Sequence, residues 1–385
     1  MDLITSIIII LAAALVGRYV SKKLKQPIIL GELIIGAIIG NIALIISSDA
    51  FKLNPSVDFL ADIGILFLLL SAGLSINLRE FKKIEVSSSV VAILGVIIPF
   101  ILGYLMTLRF GFSHTTSLFV GTALMATSIG VNAEILLELK VMGTRLGSLI
   151  MGAAVIDDII TMVVLTILIS IVKKGQISIW EISLLLFLVL LFLLISSLLT
   201  KEKVTIFIDK TLTNIRLGRE NLLIVAIVIT LIFSLITENI GLSMIIGAFI
   251  AGIIIGQMSF FRDLKDYVSL IGEGFFIPIF FVTVGTTFDL NAFISIGSFA
   301  GILIIIAIAG KFVGCSLGAK IKKFDNRESI IAGIAMIPRA GVELILVKLG
   351  LDYEIINTEI ASAIVVMVII TTLITPTALV KFLKK

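Results

Sequence analysis

Two adjacent aspartates, Asp157 and Asp158, stand inside a run that is otherwise apolar or small from Leu146 to Val172. A charged side chain at bilayer depth costs about 2.5 to 3.5 kcal/mol on insertion scales, so a side-by-side pair is read as working chemistry. Adjacent helical residues point about 100° apart, so the two carboxylates border one cavity but meet different neighbours. One can pair with a buried ammonium such as Lys311, and the other can face an ion path. Two close carboxylates do not both ionise cheaply, and the pair titrates as a coupled unit. A hard monovalent cation such as Na+ wants the same oxygens that protons want, and that competition is the minimum chemistry of exchange.

Other polar residues fall at the same depth. Ser128 is 12 residues from Lys140, Asp157 is 12 from Arg145 and Arg339 is 12 from Arg327, which places each about 18 Å from the face that carries those charges. Lys311, 9 residues from Lys320, lies about 14 Å deep by the same measure. Ala126-Thr127-Ser128-Ile129-Gly130 and Ile337-Pro338-Arg339-Ala340-Gly341 carry helix-breaking chemistry at this level: Pro removes a backbone donor, and Gly, Ser and Thr ease unwinding. Two crossed, interrupted helices would offer half-helix ends and free carbonyls to one cavity. Carbonyls and hydroxyls suit a cation, and Arg339 can neutralise carboxylates or helix C-terminal ends.

These residues need an apolar frame. The 385-residue chain is 59% hydrophobic and 15% charged, with a mean hydropathy of +1.24, more apolar surface than one soluble core can hide. Long apolar runs without alternating ten-residue segments predict a helical membrane protein, not an outer-membrane barrel. The chain reads as thirteen spans near 3–20, 28–47, 58–77, 87–108, 115–138, 146–172, 178–199, 221–238, 242–257, 267–287, 293–319, 328–349 and 359–380. Of 30 Lys and Arg, 23 fall on one side of this plan, 5 on the other and 2 within spans. That bias predicts an outer N-terminus and a cytoplasmic C-terminus, and it accounts for the net charge of +4 without a nucleic-acid partner. The first span lacks a cleavage site and reads as retained. Cys315 is the single cysteine and reads as a packing residue.

The chain also repeats itself. GLSINLREF at 73–81 matches GTTFDLNAF at 285–293, IIGAIIGN at 34–41 matches IAGIIIGQ at 250–257, and MATSIGV at 125–131 matches MIPRAGV at 336–342. The offsets of 212, 216 and 211 residues are nearly equal. The matched spans are seven apart, an odd number, so the two six-helix halves must cross the membrane in opposite directions with span seven as a linker helix. The basic stretch Lys201–Glu220 reads as an amphipathic segment on the inner surface.

The Asp157-Asp158 pair, Ala126-Thr127-Ser128, LSMIIGAFIAG at 242–252, Lys311 and MIPRAGVE at 336–343 together resemble the second monovalent cation:proton antiporter family, close to bacterial electrogenic sodium/proton antiporters. The resemblance covers the whole chain. It implies an ion-translocating core of spans four to six (87–172) and eleven to thirteen (292–385). This core moves against a dimerisation domain of spans one to three (1–86) and eight to ten (221–291), with residues 173–220 as linker helix and cytoplasmic segment. It also implies a homodimer, Asp158 as the main cation and proton carrier, Asp157 paired with Lys311, and Thr127 and Ser128 beside the ion. Na+ would then be held by Asp158, Asp157 and Ser128, with no cofactor beyond the transported Na+ and H+. Paired aspartates with a lysine resemble the electrogenic branch. In many relatives an acid directly follows the Pro-Arg-Gly turn, whereas here the acid comes at Glu343, which leaves the partner of Arg339 open.

The expected function is therefore secondary active Na+ (or Li+)/proton antiport by alternating access in the cell membrane, not enzymatic catalysis. Potassium/proton exchange and sodium-coupled organic anion transport on the same fold are the alternatives. An intramembrane aspartyl protease would draw its two acids from different helices. A passive channel would need filter loops, which the sequence lacks. Lys311 serves either coupling or structure, Arg339 and Glu343 either the ion site or the broken helix, and Glu32, Asp62, Glu134, Glu138 and Glu273 read as funnel or helix-end charges. His114 falls at an outer span end and reads as solvated.

Overall fold

The computed structural model describes residues 2–24, 26–46, 54, 56–174, 179–201, 204–205, 218–258, 264–286, 297–339, 343, 346–347, 350–351 and 353–383. Every regular element among them is helical, as a chain with no water for its backbone requires. In order they are α1 (Leu3–Lys23), α2 (Ile28–Ile46), α3 (Ser56–Leu74), α4 (Leu78–Lys83), α5 (Glu85–Arg109), α6 (His114–Ala123), α7 (Ile129–Glu138), α8 (Arg145–Lys174) and α9 (Ile179–Leu199). Then follow α10 (Arg219–Ile240), α11 (Met244–Ile255), α12 (Leu264–Ile271), a π turn (Gly272–Phe276), α13 (Ile277–Thr286), α14 (Ser298–Ile321), α15 (Asn326–Ala335) and α16 (Thr358–Leu383). Nine helical stretches among the described residues are long and apolar enough to cross a membrane.

Large apolar side chains point outward on α1, α9 and α10, where Ile4, Trp180, Leu190 and Leu235 are exposed. Such a surface is stable only against lipid. On α9 the buried residues reduce to one stripe, Leu185, Val189, Phe192 and Ser196, and Phe192 meets Phe233 of α10 edge to face at 5.9 Å.

With no hydrophobic drive between helices in lipid, small residues let backbones approach. Gly36 of α2 packs on Gly285 of α13, and Gly73 of α3 packs on Gly252 of α11. Gly310 and Gly314 of α14 lie against Pro99 and Leu94 of α5, one residue and three from Lys311. Gly121 sits on Phe100, and Gly333 sits on Phe312. A side chain at any of these glycines would meet backbone or ring atoms.

The apolar stretch from 221 to 257 divides into two helices, α10 and α11. Gly241 at φ 97° ends α10, and the Leu242 N–H returns to the Thr237 carbonyl at 2.9 Å, a left-handed cap that glycine adopts without strain. Residues 287–293 of the second GLSINLREF-like copy, Ala340 to Val342, and 206–217 of the basic Lys201–Glu220 stretch lie outside the described residues.

Candidate functional site

The breaks fall where the sequence places them. Helix α6 stops at Ala123 and the chain resumes as α7 at Ile129. The Ser128 hydroxyl accepts the Val131 N–H at 3.3 Å, an N-cap that replaces one of the bonds the interruption removes. Helix α15 starts on a reciprocal capping box between Asp325 and Glu328 and stops at Ala335, three residues before Pro338. The two interruptions touch: the Ser128 N–H donates to the Pro338 carbonyl at 2.7 Å, and the Thr127 hydroxyl donates to the Met336 carbonyl at 3.3 Å.

Arg339, fully buried, finds its partners in the other break. Its Nη1 donates to the Ala126 carbonyl at 2.6 Å and to that of Ala123 at 3.3 Å, and its Nη2 donates to the Leu124 carbonyl at 2.7 Å. The guanidinium thus covers the carbonyls that the end of α6 leaves unpaired, at the negative pole of that helix. Glu343 is a distant second partner, its Oε1 4.0 Å from Arg339 Nη1 and without a hydrogen-bond donor among the described residues.

Asp157 and Lys311 are both fully buried, and Lys311 Nζ donates to Asp157 Oδ1 at 2.8 Å. The Thr127 hydroxyl also lies beside the Asp157 carboxylate, but its one proton is directed at Met336. Asp158 projects differently. It lines a cavity of about 500 Å³ with Thr127, Met162, Phe280 and Thr372, and the same cavity reaches Asp58 and Asp62 on α3 and Glu238 on α10. Asp158 Oδ2 has no hydrogen-bond partner among the described residues.

Of the residues singled out from sequence, Asp158 and Thr127 face the cavity, whereas Asp157 is turned to Lys311, and Ser128 joins the breaks. Glu343 lies within electrostatic reach of Asp158 and Lys311. Three carboxylates, those of Asp157, Asp158 and Glu343, therefore lie near two basic side chains, Lys311 and Arg339, a set short of one positive charge when all are ionised. His114 hydrogen-bonds Tyr104 at 2.9 Å on an exposed surface away from this set.

One residue at the site carries no sequence signal of its own. The Thr372 hydroxyl, on α16 and buried, donates to the Arg339 carbonyl at 2.5 Å while lining the cavity. Thr371, Thr372 and Thr375 form a polar group in an apolar helix, but each also bonds the backbone of its own helix, the ordinary behaviour of threonine in such helices.

A family model described as sodium/hydrogen exchanger, transmembrane, matches residues 10–385. The chain is 32% identical over 385 residues to a Na(+)/H(+) antiporter of Enterococcus hirae, covering 100% of this chain and 99% of that one. It is 36% identical to the probable Na(+)/H(+) antiporter GerT of Bacillus cereus, over 94% of this chain and 93% of the other. It is 33% identical to the Na(+)/H(+)-K(+) antiporter GerN of the same organism, over 96% and 93%. Among solved structures, the sodium proton antiporter MjNhaP1 from Methanocaldococcus jannaschii at pH 8 superposes with a TM-score of 0.64 at 16% identity, covering 100% of this chain and 99% of that one, a likeness of fold. A membrane-spanning helical chain with a buried aspartate pair, matched by the family model over nearly its whole length, belongs to the sodium/hydrogen exchanger family.

Proposed function

We propose that this protein exchanges Na+ for protons, with Asp158 as the carboxylate that carries both. The observation that supports the reading most directly is the split between the two aspartates: Asp157 is neutralised by Lys311, and Asp158 faces an open cavity with an unpartnered oxygen. A Na+ or a proton at Asp158 supplies the one missing positive charge. Thr127 adds a hydroxyl oxygen beside the ion, and the Arg339 guanidinium holds the break that presents it. Ser128 keeps the two breaks in register.

The acids Asp58, Asp62 and Glu238 around the cavity favour a cationic cargo over an organic anion. Potassium is the second reading, favoured by one relative whose name includes K(+). The Asp157–Lys311 pair supports electrogenic exchange through its resemblance to the electrogenic branch, in which paired aspartates come with a lysine.

The architecture we propose has thirteen spans in two inverted six-helix repeats. Its support lies in contacts made twice. Gly36 meets Gly285 while Gly252 meets Gly73, so matched positions exchange roles, and the Gly121–Phe100 contact recurs 212 residues on as Gly333–Phe312. Helices α5 to α8 with α14 to α16 form the moving core, and α1 to α3 with α10 to α13 form the dimerisation scaffold. The lysine and arginine bias puts the N-terminus outside and the C-terminus in the cytoplasm, in the cell membrane. By the resemblance to two-domain antiporters, the scaffold joins two copies and the core moves as an elevator.

The test is purified protein in proteoliposomes under an imposed pH gradient, challenged in turn with Na+, Li+ and K+, with and without a clamped membrane potential. Na+ should collapse the gradient and Asp158→Asn should abolish the effect. Undiminished exchange by Asp158→Asn, or no response to any of the three ions, would sink the reading.

A further inference from the structure

Glu138 is the last residue of α7, where a carboxylate opposes the negative pole of its own helix. It serves another helix instead. Its Oε2 accepts the Ile28 N–H at 2.8 Å, at the first residue of α2, and there the carboxylate meets a positive pole. Helix α2 has no such acceptor in the two residues before it: Pro27 carries no side-chain oxygen, and Gln26 Oε1 has no hydrogen-bond partner among the described residues. The cap of α2 is thus supplied from a distant part of the chain. It joins α7, assigned above to the moving core, to α2 of the scaffold.

The same two helices wall the Asp158 cavity further along. Ile129 of α7 and Leu33 and Ala37 of α2 line it; Ile129 is nine residues from Glu138, and Leu33 is five from Ile28, or about 14 Å and 8 Å along the two helices. The cavity extends to Asp58, the third residue of α3, and to Glu238, the third from the end of α10. The opposite end of α3 lies by the turn after Glu138, where a side chain at Gly143 would come within 3.1 Å of the Ser75 carbonyl. The cavity therefore leads from Asp158 toward the start of α3, and the cap lies toward its end. In the proposed topology these are the outer and the inner face. Nearer the centre, Gly130 of α7 rests on Ile65 and Phe280 of the scaffold, an apolar contact that slides without breaking a hydrogen bond. The cap does not slide: a displacement of about 1 Å takes it beyond hydrogen-bond range.

We infer that Glu138 is a positioning residue for exchange: by capping α2 it holds the core in the arrangement that opens Asp158 to the outer face, and the cap breaks and re-forms in each cycle. The inference rests on the antiport reading above. Because α7 carries both Ser128 and Glu138, release of the cap frees the half-helix whose first turn stands beside Asp158.

In vesicles of both orientations, Glu138→Ala should lower the ratio of inner-face to outer-face KM for Na+ by about tenfold, the shift in equilibrium that loss of one N-cap produces. Glu138→Gln, which keeps an acceptor oxygen, should shift the ratio in the same direction by less, and it serves if the alanine form does not fold. A second measurement needs no transport. Cys315 is the single cysteine and is buried, so Ala37→Cys puts one accessible thiol on the cavity wall. A membrane-impermeant maleimide should label it from the outer face, and more slowly once Glu138→Ala is added. If Glu138→Ala lowers the unfolding temperature but leaves the KM ratio and the labelling rate unchanged, or if the ratio rises, the cap is structural and the inference is overturned while antiport stands. If wild type exchanges no Na+, the antiport reading itself fails, and the labelling still decides whether Glu138 holds the outer side open.

Discussion

Lys311 and Asp157 form a pair in which each group is tolerable only because of the other. Removing the ammonium by Lys311→Ala strands a fully buried carboxylate, and thermal unfolding in detergent should show a loss of about 3 to 5 kcal/mol. The double variant Asp157→Asn/Lys311→Met removes both charges and should recover most of that loss, whereas exchange should become independent of a clamped potential if Lys311 is a proton carrier. Arg339 gives a contrasting case. Its fork spans the carbonyls of Ala123, Leu124 and Ala126, a geometry an ammonium does not reproduce. Arg339→Lys should therefore cost about 1 to 3 kcal/mol in unfolding even though the charge is kept, the penalty for a buried acceptor left without its donor. The aspartates and Lys311 are legible in sequence because a charge amid apolar residues at bilayer depth is conspicuous. The partners of Arg339 are not, because a carbonyl belongs to every residue and carries no identity. Thr372 is hidden for a related reason: a threonine that bonds its own helix and one that also reaches across look the same in sequence.

At the scale of elements, the glycines do the positioning. Gly36 and Gly252 occupy the same place in the matched stretches IIGAIIGN and IAGIIIGQ, and each lies against a glycine of the facing helix. Gly36→Leu and Gly252→Leu should each destabilise by about 1 to 3 kcal/mol, the usual cost of overpacking. Gly301→Leu, where the space beyond the backbone is open, should leave the unfolding temperature within error. The repeat offset shows in sequence through these glycines and their neighbours, since small residues at close crossings tolerate little drift. Helix ends are also legible where breakers mark them, as at Ser128, Pro338 and Gly241. The π turn at Gly272–Phe276 is not, because one extra residue per turn needs no distinctive residue type.

For the whole molecule, the proposed competition of cation and proton for Asp158 would fix how activity responds to pH. A proton on the carrier excludes Na+, so the apparent KM for Na+ should rise as pH falls, approaching about tenfold per pH unit per competing proton. Measuring KM for Na+ in proteoliposomes at several values of pH, with both faces matched, checks this; a KM that stays constant while the maximal rate falls would mean that the proton acts elsewhere.

Among the described side chains of α9, Leu185, Val189, Phe192 and Ser196 are buried, Leu193 and Leu199 pack partly against the core, and Trp180, Phe187, Leu190 and Leu194 are exposed. In the proposed inverted-repeat plan the contribution of this helix is length and parity, one extra crossing that would turn the second half of the chain upside down relative to the first. Its outward residues should drift freely: changing every side chain of Ile179–Leu199 outside Leu185, Val189, Phe192 and Ser196 to leucine should leave exchange intact. Deleting the helix should instead send a C-terminal fluorescent reporter to the opposite compartment, and the Pro338 carbonyl would then have no Ser128 to receive.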